Sequence, residues 1–222
     1  MPAKESKGKI VILHSGGLDS SCLLYYVRNL GFEPLALSFD YGQRHKRELY
    51  AAEAVAYEAK IPHYILKIPA LGELGHSSQT DLCIPVPEGH YTDENMKITV
   101  VPNRNMILLA FAAAYAMAND AKLIGIANHA GDHAIYPDCR PDFVLGMQTI
   151  LQETWGISLK APFTHHTKSD IVLTGQPLMV PFHLTFSCYN GQIKHCGKCG
   201  TCVERKEAFK LAEAKDPTQY EA

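Results

Sequence analysis

No stretch of this 222-residue chain approaches the ~18 consecutive apolar residues that a membrane helix needs. The opening Met1-Pro2-Ala3-Lys4-Glu5-Ser6-Lys7-Gly8-Lys9 has no apolar core of signal-peptide length. The expectation is a soluble cytoplasmic protein without a membrane partner. An excess of charge is also missing, because 21 Lys and Arg face 23 Asp and Glu and leave a formal charge of −2. That balance provides no basic face for a long nucleic acid, so a small-molecule partner is expected instead. Repeats, heptads and low-complexity segments are absent, and no Lys stands at the spacing of a G-x-x-x-x-G-K-[ST] phosphate loop. Cysteine is present but odd in number, at seven, with four crowded between positions 188 and 202. In a reducing compartment that crowding suggests metal rather than disulfides. With 46% hydrophobic residues, the length suits one domain, or one domain with an appendage.

The stretch around which the rest is arranged is His14-Ser15-Gly16-Gly17-Leu18-Asp19-Ser20-Ser21. It follows the apolar run Ile10-Val11-Ile12-Leu13 and precedes the helical pattern from Cys22 to Val27, so it reads as strand, turn, helix. Two glycines let the backbone bend sharply and approach an anion, and the Ser15, Ser20 and Ser21 hydroxyls add donors at a helix start whose free N–H groups favour polyphosphate. The S-G-G-x-D-S string resembles the pyrophosphate loop of ATP-dependent adenylating enzymes. A plain strand-to-helix turn is the alternative.

Strand patterns recur at 34–39, 63–68, 123–127 and 157–161. Between them lie helical patterns with core faces at Leu49, Ala52, Val55, Ala56 and Ala59, then at Leu108, Leu109, Ala112, Ala113 and Ala116, and a helix from about Phe143 to Thr154. This alternation predicts an α/β fold with a doubly wound parallel sheet. Residues 69–100 are rich in Pro, Gly, Ser and Thr and read either as a lid or as a passive surface excursion. Ligands gather beyond the carboxyl ends of parallel strands, so the polar string Asn128-His129-Ala130-Gly131-Asp132-His133 and the following Tyr136-Pro137-Asp138-Cys139-Arg140 mark a candidate site. Thr167-Lys168-Ser169-Asp170 fits a helix-capping pattern. Cys139 is either a nucleophile or a packing residue, and Cys22 reads as helix core. His14 and His45 could face a nucleotide, whereas His165 and His166 read as a solvated pair.

Cys188, Cys196, Cys199 and Cys202 are spaced C-x7-C-x2-C-x2-C with glycines at 191, 197 and 200. Such turns let four thiolates converge on one ion, which predicts one structural zinc per chain; an iron–sulfur cluster or two disulfides are the alternatives. The domain reading is an ATP-binding unit over residues 1–180 and a small zinc-binding module over 181–222.

The string Phe39-Asp40-Tyr41-Gly42-Gln43-Arg44-His45, Pro102-Asn103-Arg104-Asn105, Tyr136 to Arg140, Ser187-Cys188-Tyr189 and the His195 to Cys202 cysteine run join the loop in a pattern that resembles the 7-cyano-7-deazaguanine synthase family. Two positions depart from it: Phe186, where Trp is usual, and Ile135, where Gly is common.

The resemblance implies an adenine nucleotide alpha hydrolase-like, Rossmann-like fold and a ligase of queuosine biosynthesis. Such an enzyme converts 7-carboxy-7-deazaguanine and ammonia to the nitrile through adenylated and amide intermediates. It implies ATP held with Mg²⁺ by His14, Ser15, Gly16, Gly17, Leu18, Asp19, Ser20, Ser21, Cys22, Leu23 and Leu24, and a homodimer. No side-chain nucleophile is required. A deazaguanine edge suits Asp132 or Asp138, a substrate carboxylate or phosphate suits Arg104 or Arg140, and Tyr136 joins the substrate pocket. Rival readings are another adenylating enzyme of the same loop class, amide-forming or tRNA-thiolating, and a non-enzymatic nucleotide sensor.

Overall fold

A computed structural model of the chain describes residues 6–90, 95, 97–191 and 193–221. The opening residues 1–5 and part of the 69–100 excursion therefore fall outside the description. Five parallel strands form one sheet: β1 (Lys9–Leu13), β2 (Glu33–Asp40), β3 (His63–Lys67), β4 (Leu123–Gly125) and β5 (Ser158–Lys160), in the order β3-β2-β1-β4-β5. Val11 of the central strand lies between Leu35 of β2 and Ile124 of β4. The order reverses at β1, so a crevice opens between the carboxyl ends of β1 and β4.

Strand alternation divides the core between the two faces. Ile10 and Ile12 turn to one side, where they pack with α1 (Leu18–Asn29), α2 (Arg47–Glu58), α6 (Lys168–Gly175) and α7 (Gly200–Leu211). Val11 and Leu37 turn to the other and meet α4 (Arg104–Ala118) and α5 (Pro141–Trp155). A short helix, α3 (Ala70–Glu73), contributes Leu71 to that second layer. Leu23, Leu109 and Ile124 have no exposed surface, and truncating any of them to Ala costs about 2–5 kcal/mol.

The helices match the sequence periodicity, with differences at their ends. α4 starts at Arg104, where Asn103, at φ 58°, makes the turn that launches it. α5 starts at Pro141, whose fixed φ suits a first helical position. α7 begins at Gly200, so Cys202 lies inside its first turn. Thr167 and Asp170 form the reciprocal cap at the start of α6. The 181–221 segment shares its core with the rest: Ala208 and Phe209 of α7, and Ala212 just after it, belong to the same buried cluster as residues of α1 and α6.

Within the 69–100 excursion, Ser77, Ser78, Gln79 and Thr99 are buried. Arg44 Nη2 donates to the carbonyls of Asp81 and Ile84 at 2.7 Å each, and the Gly89 N–H donates to Lys198 O at 2.8 Å. These bonds tie the segment to the turn after β2 and to the cysteine cluster.

Candidate active site

The turn after β1 is set before any ligand arrives. Gly16 has φ 82°, and a Cβ there would stand 2.2 Å from Glu48 O and 2.5 Å from Ala52 N, so α2 can approach only a glycine. Gly17 has an ordinary φ of −75° and caps α1. Its N–H donates to Ser15 Oγ at 3.2 Å, while the Ser15 N–H donates to Ser20 Oγ at 3.1 Å. His14 is buried, its Nε2 lies 3.2 Å from Ala52 O, and burial, reinforced by nearby His63, lowers its pKa to about 3. It is a neutral ring that supports the turn.

Only the first part of the 14–24 stretch borders open space. Leu13, His14, Ser15, Gly17, Leu18, Asp19 and Ser20 line a cavity of about 260 Å³ at the carboxyl ends of β1, β2 and β4. Ser21, Cys22, Leu23 and Leu24, expected at the nucleotide, are instead fully buried. The helical period turns them into the core, and Gly16 faces α2.

One set of cavity residues is charged. Lys168, at the start of α6, donates to Glu204 Oε2 at 2.8 Å and lies 3.7 Å from Asp19 Oδ2. Its burial opposes the charge, but Asp19, Glu204 and Asp132 outweigh that and hold the ammonium firmly protonated. His129 follows β4. Its Nδ1 accepts the Gly131 N–H at 3.0 Å, so the proton sits on Nε2, 3.9 Å from Asp19 Oδ2 and 3.7 Å from Asp132 Oδ1. Asp19 Oδ1 is buried and has no hydrogen-bond partner among the described residues.

The second set is aromatic around one cation. Arg104 opens α4, lies in the cavity wall and forms no ion pair among the described residues; its Nη1 is 3.4 Å from Tyr41 Oη. Burial works against its charge, while the surrounding phenols of Tyr41, Tyr189 and Tyr136 favour it. Burial in turn pushes the Tyr41 phenol up to about 12, so it remains a neutral donor. Tyr136 bonds Thr99 at 2.8 Å. Phe39, Leu108 and Ile126 complete an apolar wall.

The Tyr136 to Arg140 string divides between lining and support. Tyr136 and Cys139 line the cavity with Arg104 and Asp132, but Asp138 and Arg140 do not. Asp138 Oδ2 accepts the Asn105 N–H at 2.9 Å and fastens the start of α4 beside Arg104. Arg140 is exposed and its Nε donates to His133 O at 2.9 Å. Cys139 is buried, bonded by Asn105 Nδ2 at 3.2 Å, and burial pushes its thiol well up, so it is an inert packing residue. Ile135 packs on Tyr136 and Cys139 outside the cavity.

Cys188, Cys196, Cys199 and Cys202 are all buried, and their Sγ atoms lie within 4.8 Å of one another. N–H groups of Lys198 and Cys199 donate to Cys196 Sγ at 3.4 and 3.3 Å, and the Cys196 N–H to Cys188 Sγ at 3.3 Å. Four convergent sulfurs, with the Cys196–Cys199 turn donating amides to Cys196 Sγ, fit a closed tetrahedral metal site. Beside it, Phe186, Ser187, Tyr189, Thr201 and Glu204 line the cavity. The Phe186 ring packs 4.5 Å from that of His195.

The arrangement therefore offers a preformed turn rich in N–H and hydroxyl groups and, in the same cavity, a cation among phenols with no ion pair among the described residues. Of the other lining residues, His129 falls within the polar string after β4 that the sequence marks, whereas Lys168, Glu204, Tyr41 and Tyr189 are not candidate site residues on the sequence alone. Lys168 was legible only as a capping position, and the signal for Tyr189 and Glu204 was their closeness to the cysteines.

A family model described as queuosine biosynthesis protein QueC matches residues 9–213. A 7-cyano-7-deazaguanine synthase of Brucella anthropi is 51% identical over 218 residues, covering 96% of this chain and 94% of the relative. One from Brucella ovis is 49% identical with the same coverage. Among solved structures, NMN synthetase from Francisella tularensis aligns at 17% identity with a TM-score of 0.53 over 95% of this chain and 79% of that one, a likeness of fold.

Proposed function

This chain belongs to the queuosine biosynthesis protein QueC family, and from that premise we propose that it converts 7-carboxy-7-deazaguanine to 7-cyano-7-deazaguanine with ATP and ammonia. A carboxylate cannot release oxide to ammonia, so its oxygen must first be made a leaving group. Transfer of an adenylyl group to it does this and expels pyrophosphate. Ammonia then adds to the carboxyl carbon, the bond to the adenylate oxygen breaks, and AMP and a proton leave behind the primary amide. A second adenylation, on the amide oxygen, lets that oxygen depart and two protons be lost to give the nitrile.

The observation that carries this reading is Arg104: a half-buried guanidinium with no carboxylate partner among the described residues, ringed by Tyr41, Tyr136 and Tyr189, in the same cavity as the Ser15–Ser20 turn. A flat heterocycle fits between such rings, and its carboxylate supplies the missing counter-charge. The turn and the Lys168 ammonium receive the phosphates, held in line by donors that need not reorganise. Asp132 remains a candidate acceptor for the heterocycle's N–H groups.

The donor sets fit both expected metals. Zinc in the four thiolates would lock the 186–204 segment against the loop. The orphaned Asp19 Oδ1 and the Asp132 carboxylate suit Mg²⁺, which would neutralise phosphate charge when it arrives with ATP. A 1–180 nucleotide-binding unit closed by a 181–222 module remains our domain reading, as does a homodimer. No helix among the described residues is long and apolar enough to cross a membrane, in keeping with a cytoplasmic enzyme.

The test is direct: protein, MgATP, ammonium and the acid, followed by mass spectrometry. A transient amide, one water heavier than the nitrile, followed by the nitrile is expected. A reaction that stops at the amide overturns the synthase reading.

A further inference from the structure

The cysteine cluster contributes five residues to the cavity wall, and each stands within two positions of a sulfur: Phe186, Ser187 and Tyr189 around Cys188, Thr201 and Glu204 around Cys202. Glu204 is the one acid among these five and pairs with a cation across the cavity. Its Oε2 accepts from Lys168 Nζ at 2.8 Å, and Lys168 is in turn 3.7 Å from Asp19 of the loop's first helical turn. The two side chains are 17% and 29% exposed, so the pair is only partly open to solvent.

Lys168 and Arg104 are the only Lys or Arg side chains among those lining the cavity. A lysine has four rotatable side-chain bonds and a charge that acts as a point, so its use against a phosphate depends on being held in place. α6 fixes its Cα, and the capping bonds of Thr167 and Asp170 fix the turn. Among the described residues, the only hydrogen bond holding the ammonium itself comes from Glu204, on a helix whose first turn carries Cys202.

We propose that Glu204 is a positioning residue through which the four-cysteine knuckle aims the Lys168 ammonium at the phosphates of ATP. The knuckle is thus part of the nucleotide site, one step removed, as well as a fastening for α7. This rests on the function read above, in that it takes the loop end of the cavity as the ATP end.

The test uses the metal-loaded protein and compares Glu204→Ala, Glu204→Gln, Lys168→Met and Glu204→Ala/Lys168→Met. KM for ATP, KM for the acid and kcat are measured together with ATP affinity by calorimetry and metal content. Glu204→Ala is expected to weaken ATP about tenfold or more while the KM for the acid stays within about threefold and the metal stays bound. Glu204→Gln, whose amide oxygen still accepts the Lys168 N–H, is expected to restore ATP binding to within about threefold of the parent. Removing Glu204 on top of Lys168→Met is expected to add nothing, because Glu204 acts through that lysine.

Additive losses, equal damage to ATP and acid, or a Gln variant as weak as the Ala variant would each overturn the proposal. If Glu204→Ala loses its metal, Glu204→Asp replaces it, and unchanged ATP affinity in that shorter variant is equally fatal. A parent protein that binds ATP but does not turn over the acid sinks the functional reading alone, since calorimetry still judges Glu204.

Discussion

The Phe186 N–H donates to the carbonyl of Gly16 at 2.9 Å, joining the segment before the first cysteine of the cluster to the middle of the turn after β1. The turn is therefore clasped from two sides, by this bond and by the backbone of α2 at Glu48 and Ala52.

From the α2 contact follows a contrast between adjacent glycines. Gly16→Ala places a methyl against backbone that cannot yield and forces a side chain into positive φ, so we expect a loss of about 3 kcal/mol or more of stability. Gly17→Ala meets Ser15 Oγ at 3.2 Å and Phe186 O at an ordinary 3.8 Å, and should fold nearly as well as the parent. Urea unfolding of both variants checks this; equal destabilisation would contradict the geometry.

Arg104→Met removes the cation among the tyrosines. The kcat/KM for the acid should fall by about a hundredfold, near 2.7 kcal/mol, as befits a charge-assisted contact, while ATP affinity by calorimetry holds. Arg140→Ala, on the exposed side of the same string, should leave both values within about threefold.

Acid sensitivity has an identifiable source in His14. Its folded pKa, lowered to about 3 by burial, lies below the ordinary 6.5, so the unfolded chain binds the proton first. The stability this gives is complete above pH ~6.5 and drains as pH falls toward ~3, by up to about 1.4 kcal/mol per pH unit. His14→Gln, which keeps an N–H for Ala52 O, should show a shallower slope across that window in urea titrations at stepped pH. An identical slope would assign the sensitivity to other groups.

One zinc per chain is expected on metal analysis. Cys202→Ser should lower metal content, reduce the thermal midpoint and open residues 186–204 to protease, because the ligand sits in the first turn of α7. Iron with visible absorption would replace zinc by a cluster.

Local patterns were readable in the sequence. The cysteine quartet is close-spaced, the sheet strands alternate with periodic helices, and the S-G-G-x-D-S turn names its own chemistry. What escaped notice depends on distant segments meeting. Lys168, Glu204 and Asp19 come from three helices widely separated in the chain, and nothing near any one of them announces the other two. Asp138 and Arg140 misled for the opposite reason, since a polar string after a strand looks the same whether it faces a ligand or, like Asp138 on the Asn105 N–H, braces the residue that does. Residues 22–24 were carried along with the loop although their own apolar period placed them inside.

Arg205 is almost wholly buried, its guanidinium bonded to Thr185 Oγ1 at 2.8 Å, Ser187 Oγ at 3.2 Å and Phe182 O at 2.9 Å, with Asp216 alongside at 3.4 Å. One side chain thus joins the 182–187 stretch, which carries Phe186 and Ser187 of the cavity wall, to α7, which carries Glu204. Shifting either part of that wall breaks buried guanidinium bonds, so a ligand in the cavity meets one braced side rather than two independent flaps.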